Sequence, residues 1–118
     1  MTTATRPAIL IGESDLRKLL TLGGSEELSA ELERARVVAD ADLPGDAVRM
    51  GSTVRYRSET GAEREVTLVY PSDADISTGR ISVLTPVGTA LLGMVAGNVI
   101  AFEGRNGREQ SVEVVSVR

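Results

Sequence analysis

The sequence predicts an α+β fold: a short N-terminal antiparallel helical hairpin, coiled-coil-like, followed by an antiparallel β-sheet carrying one short helix. Three observations lead there. Apolar residues recur at helical spacing up to Val38 and at a spacing of two from Val54 onward. The glycine pair Gly23-Gly24 divides the helical part, and Asn106-Gly107 marks a tight turn in the other part. Between them, Asp40 to Asp46 is a polar connection with a Pro44-Gly45 turn. The boundary is therefore placed at 47/48, with the helical segment over 1–47 and the sheet domain over 48–118.

Taken in order, residues 7–11 either pair as a short strand or lie extended against the rest. Ser14 or Asp15 then caps a first helix, since a short side-chain oxygen satisfies free first-turn amides. Leu16, Leu19 and Leu20 form its apolar stripe. Gly23-Gly24 stops it, Ser25 caps the second helix, and Glu26 and Glu27 sit at that helix's positive end. Leu28, Leu32, Ala35 and Val38 line one narrow face of the second helix. Helices of this length reach only ~15–20 Å, and neither persists alone in water, so each must lean on a partner.

Beyond the boundary, Val54 and Tyr56 alternate with Arg55 and Arg57, and Val66, Leu68 and Tyr70 with Thr67 and Val69. Glu59-Thr60-Gly61-Ala62 is the turn between these strands. Ile81 and Val83 begin a third strand after the polar loop Pro71 to Gly79. Val87 to Leu92 is a short apolar helix ended by Gly93. Val99 to Phe102 and Ser111 to Val117 form a last hairpin around Gly104 to Gly107.

Composition narrows the chemistry. The 118 residues contain neither Cys nor His. That excludes disulfides, thiol nucleophiles, imidazole acid–base catalysis and structural zinc. Residues 13–47 carry nine acids and four bases, whereas 48–118 carry eight of each, so the acidity is concentrated in the helical part. Neither part is basic enough for a duplex-binding surface. Arg49, Arg55, Arg57 and Arg64 form a basic strip on the open face of the sheet, but Glu59, Glu63 and Glu65 interleave with it and point to cross-strand ion pairing. The apolar run Ala8 to Ile11 is too short for a signal peptide. The uncharged stretch Thr85 to Phe102 is broken by Pro86, Gly88, Gly93 and Gly97, which suits helix–turn–strand rather than a membrane span. The chain reads as soluble and cytoplasmic, with no membrane partner. The glycines from Gly88 to Gly97 do not spell a phosphate-binding loop, and no catalytic residue, cofactor or metal site is identified.

Arg80 to Gly93, which includes Thr85-Pro86-Val87-Gly88-Thr89-Ala90-Leu91-Leu92-Gly93, followed by Gly97-Asn98-Val99-Ile100, resembles the C-terminal domain of the Gre transcript-cleavage factors. That domain has an FKBP-like sheet. Ala30 to Arg36, Val66 to Pro71 and Arg6 to Ile11 extend the likeness over nearly the whole chain and bring it nearest to the Rnk-type regulators (regulator of nucleoside diphosphate kinase) within this Gre-like family. The resemblance implies docking on RNA polymerase at the rim of its secondary channel. The family's gripping turn, Asp/Asn-Ser-Pro, falls on Leu84, Thr85 and Pro86; Thr85 and Pro86 keep the hydroxyl and the rigid turn, and Leu84 replaces the polar residue. Gly97-Asn98 stands where the family often has Gly-Asp.

In Gre factors a long coiled coil delivers an Asp and a Glu at its tip to a catalytic magnesium ion. Here the tip is Gly23, Gly24, Ser25, Glu26 and Glu27, and two adjacent glutamates in a first helical turn are what any good helix start contains. A reach of ~15–20 Å is about half or less of what the catalytic task requires. The expectation is a non-enzymatic transcription regulator that binds the rim and competes with Gre factors without stimulating cleavage. The alternative is an adaptor that controls nucleoside diphosphate kinase, or another nucleotide-metabolising enzyme, by direct contact. An FKBP-like sheet does not by itself carry isomerase activity, and three aromatic residues are too few to line the pocket such an activity needs. Their scarcity also argues against base stacking, so no direct sequence-specific nucleic-acid binding is expected.

Overall fold

The computed structural model describes residues 9–23, 26–104 and 106–118. The expectations that fall on residues 7 and 8, Gly24, Ser25 and Arg105 lie outside these. Strand β1 (Leu10–Gly12) runs straight into helix α1 (Glu13–Leu20). The helix is not capped by Ser14 or Asp15, as expected, because both lie inside it; Gly12 takes the N-cap position and has no side chain to offer. Asp40 supplies the cap from 26 residues away, accepting the Ser14 N–H at 3.1 Å and the Ser14 hydroxyl as well. Asp15 instead accepts the Met50 N–H at 3.0 Å, tying α1 to the start of the sheet region.

Helix α2 (Glu26–Arg34) is shorter than its apolar spacing predicts. Ala35 and Val38 were expected on its buried face, but the chain leaves the helix at Ala35 and forms strand β2 (Arg36–Val38). Two adjacent β-branched residues, Val37 and Val38, favour extended backbone once a partner strand is present. That partner is β1, paired in parallel with Leu10 opposite Arg36 and Gly12 opposite Val38. The two helices are thus an insert between neighbouring parallel strands. Leu19, Leu28 and Leu32 are buried, whereas Leu20, at the last position of α1, is 64% exposed and leaves the stripe.

The larger sheet comprises β3 (Thr53–Ser58), β4 (Glu63–Val69), β5 (Arg80–Ser82), β6 (Val99–Glu103) and β7 (Glu109–Val117), in the order β5-β4-β3-β7-β6. Alternation in β3 is as expected: Val54 and Tyr56 are buried and Arg55 and Arg57 exposed. The sheet is not wholly antiparallel, because β5 pairs with β4 in parallel. The cause is the loop 71–79. It folds through two single 3-10 turns, Pro71–Asp73 and Ile76–Thr78, and carries the chain back before β5 begins. Asp75 and Arg80 close it by exchanging both backbone hydrogen bonds, at 2.9 and 3.0 Å. Strand β5 ends at Ser82, so Val83 lies beyond it although fully buried. A register shift between Arg55 and Tyr56 in the β3–β7 ladder adds local twist to the curled sheet.

Helix α3 (Pro86–Leu91) packs on the sheet next to β6. Leu91, Leu92 and Met94 join Val54, Leu68, Ile100 and Val114 in one buried cluster that also contains Ile9, Ile11, Leu19, Leu28 and Leu32. The core therefore crosses the 47/48 position. At that junction Gly93, with φ +77°, takes a conformation that strains other residues, and a Cβ on it would overlap the Ile9 side chain. Its N–H bonds to the Val48 carbonyl at 2.9 Å, and its carbonyl accepts from Leu10 N–H at 3.1 Å. Among the described residues no helix is long and apolar enough to cross a membrane.

Candidate docking site

The Leu84-Thr85-Pro86 turn is built by the demands of α3. A helix of 6 residues has few internal hydrogen bonds, so its start must be satisfied from outside. Thr85 is the N-cap and Pro86 the first helical residue, where the missing proline N–H costs nothing. The Thr85 hydroxyl accepts the Gly88 N–H at 3.0 Å and donates to the Ser82 carbonyl at 2.7 Å. The buried Thr89 hydroxyl donates to the Val83 carbonyl at 2.7 Å. Leu84 donates its N–H to the Ser82 hydroxyl at 3.0 Å and packs against the core, half-buried. The helix lies so close to β5 that a Cβ on Gly88 would overlap the Ser82 carbonyl oxygen.

Pro86 and Val87 form one wall of a groove of about 790 Å³ between α3 and the sheet. Tyr56, Phe102 and Val112 form its floor, each less than a tenth exposed. Two of the three aromatic residues are there, and the rest of the lining is aliphatic and polar. Ile76, Arg64 and Arg80 stand at the rim. Burial pushes the Tyr56 phenol up from its ordinary pKa, and the neighbouring Arg64 charge partly opposes this.

The expected basic strip divides in two. Arg57 pairs with Glu63 at 2.8 Å and Glu113 at 3.4 Å, Arg55 reaches Glu63 at 4.0 Å, and Arg118 pairs with Glu65. This is the cross-strand pairing read from the interleaved charges. Arg64 does not belong to it. It stands opposite Tyr56 in the β3–β4 ladder and so shares that residue's face, in the groove. Arg49 precedes the sheet and donates to the Pro44 carbonyl at 3.4 Å.

At the far end of the insert, Gly23 adopts φ +64° and the exposed Glu26 and Glu27 open α2. Among the described residues no three His, Cys, Asp or Glu side chains are gathered as a metal site. Asn98 accepts the Val95 N–H at 2.9 Å beside Gly97, whose φ is +95°, and so serves as a turn former. The groove residues missed by sequence reasoning are Ile76, Phe102 and the inward role of Arg64. For Arg64, the register of the 59–62 hairpin was the available signal.

The family model described as "Transcription elongation factor, GreA/GreB, C-term" matches residues 43–118. The chain is 34% identical over 123 aligned residues to a "Regulator of nucleoside diphosphate kinase" from Escherichia coli (strain K12), covering 96% of this chain and 90% of that protein. It is 32% identical to a transcription elongation factor GreA from Bartonella henselae, covering 81% of this chain but only 61% of that relative. A solved structure of a prokaryotic transcription elongation factor GreA/GreB from Nitrosomonas europaea superposes with a TM-score of 0.76 at 40% identity, covering 95% of this chain and 98% of that one. The capped turn before α3, the curled sheet behind it and these matches agree: the chain belongs to the GreA/GreB transcription elongation factor family.

Proposed function

We propose that this chain docks on RNA polymerase at the rim of the secondary channel, with the face around Leu84, Thr85 and Pro86 against the enzyme. Residues 48–118 form the docking part and residues 1–47 the occluding part. Seated there, the acidic helices lie over the channel mouth, exclude Gre-type factors from the same rim and do not stimulate transcript cleavage. The observation that carries this reading is helix length. Helices α1 and α2 have 8 and 9 residues, so the insert reaches only ~12–14 Å. Such an insert does not take Glu26 and Glu27 deep into a channel, and magnesium demands oxygen ligands at short, nearly fixed distances. Such a role places the protein in the cytoplasm, with polymerase as its partner and no cofactor of its own.

The test is competition. On polymerase halted in backtracked complexes, the chain is expected to produce no cleavage and to reduce the cleavage stimulated by an added Gre factor. Thr85→Arg combined with Pro86→Asp should abolish that reduction, whereas Thr85→Ser, which keeps the cap, should not. Cleavage stimulated by the chain itself, or undiminished Gre activity at saturating chain, overturns the reading.

The name of the Escherichia coli relative favours a second reading, direct control of nucleoside diphosphate kinase. Co-migration of the chain with that kinase on a sizing column, and not with core polymerase, would select it.

A further inference from the structure

We propose that the cleft between α1 and α2 is a separate docking site, and that it takes an amphipathic helix of another protein whose apolar face is flanked by Lys or Arg. The polymerase reading places nothing in this cleft, and the two stand or fall separately.

The apolar stripe of α1 is wider than the core it serves. Leu19 faces inward and is 2% exposed, whereas the next residue, Leu20, is 64% exposed. Leu16 and Leu20, one turn apart on α1, form one bank of a cleft of about 370 Å³. Ser29 and Glu33, one turn apart on α2, form the other, and the buried Leu19, Leu28 and Leu32 lie between them. Two helices with five leucines along their shared cleft are two-thirds of a three-helix bundle, and a third helix laid there would cover Leu20. The cleft is also held in shape. Asp40 caps the first turn of α1, and Asp15 ties the helix to Met50. At the other end the Thr21 hydroxyl donates to the Lys18 carbonyl at 2.8 Å, and the Leu22 N–H to the Leu19 carbonyl at 3.1 Å. A surface already ordered before binding loses little freedom on binding.

Charge selects the occupant. Glu33 is the one charged side chain among the described residues that line the cleft. Residues 13–34 carry six acids against three bases, Arg17, Lys18 and Arg34, a net charge of −3. Arg34 pairs with Glu31 at 3.8 Å, and the Arg17 charge acts on Asp40. Lys18 is two residues from Leu20 and so does not share its side of α1. A second copy of the chain is disfavoured, because it brings the same acidic insert and a net charge of −4. The complement in shape and sign is a helix with apolar side chains three and four residues apart and cations beside them.

The probe is a synthetic amphipathic peptide of about 14 residues, with leucines at helical spacing and lysines along their flanks. One matched peptide has glutamates in place of the lysines, and another has the same residues scrambled. Each is titrated into the full chain at low salt and followed by amide NMR shifts. The lysine peptide is expected to bind with a Kd of about 10–100 μM and to move the amides of Leu20, Ser29 and Glu33. The other two should bind about tenfold more weakly or worse. Leu20→Gln should weaken lysine-peptide binding about tenfold or more and keep the thermal midpoint, because that side chain already stands in water. Glu33→Lys should exchange the preference, so that the glutamate peptide binds tighter. Val99→Asp, at a residue 61% exposed but outside the cleft, should bind like the unaltered chain. No binding, equal binding of the lysine and glutamate peptides, binding unmoved by Leu20→Gln, or shifts centred on Tyr56 and Phe102 would each overturn the site. Self-association of the unaltered chain that Leu20→Gln abolishes overturns the foreign helix in favour of a second copy. None of these results bears on competition with Gre factors at polymerase.

Discussion

Asp40 does at one position what Ser14 and Asp15 were expected to do locally. It lies outside α1 yet closes the helix's first turn through Ser14. A Cβ on Gly12 would come within 2.6 Å of its carboxylate, so the small residue before α1 leaves room for the distant cap. The Ser14 hydroxyl and N–H hold the Asp40 carboxyl below its ordinary 3.8, helped by the charges of Arg49 and Arg17. A carboxyl whose folded pKa lies below its unfolded value stabilises the fold fully above the unfolded value. It stops doing so as pH falls through the folded one. Melting the unaltered chain and Asp40→Asn from about pH 6 to about pH 2 should therefore show a gap that closes in acid. A gap that stays constant to the acid end would show that the charged form of Asp40 contributes nothing. Thr85 is the opposite case, since a threonine before a proline at a helix start announces its own capping role.

At the level of elements, the sequence is readable wherever a local pattern is long enough. The leucine stripe announces both helices, the alternation around Tyr56 announces β3, and the glycine turns fall where expected. Strand β2 is not readable because Ala35 and Val38 continue the apolar spacing set by Leu28 and Leu32, and three residues are too few to reveal a period of two. The direction of β5 is invisible for another reason: alternation is the same in parallel and antiparallel strands, and only the path of loop 71–79 decides. The groove is harder still, since Tyr56, Arg64, Ile76 and Phe102 come from four separate elements or loops. Neighbouring leucines give a direct check on where α1 faces. Leu19→Ala, at a residue 2% exposed, should cost about 2–4 kcal/mol in urea unfolding. Leu20→Ala should stay within about 0.5 kcal/mol of the unaltered chain. Equal costs would mean that α1 is rotated from the orientation described.

Over the whole molecule, the helical insert and the sheet share one core. Ile9, Ile11 and Leu19 lie in the same buried cluster as Leu91, Leu92 and Met94, and backbone hydrogen bonds at Gly93 and Val48 stitch the junction. Two segments that share one core should unfold together. Urea denaturation followed by far-ultraviolet circular dichroism and by tyrosine fluorescence is expected to give coincident single transitions. A separate early loss of helical signal would show that residues 1–47 unfold independently.

The two-stranded ladder of Leu10–Gly12 with Arg36–Val38 has a mechanical meaning. Chain enters the helices from one strand and returns into its immediate neighbour, so both feet of the helical arch are clamped side by side to the body. Lengthening both helices by whole turns would raise the summit of the arch while its footing stayed in place. Reach can in this way be altered independently of mounting, by adding or deleting turns at the crown.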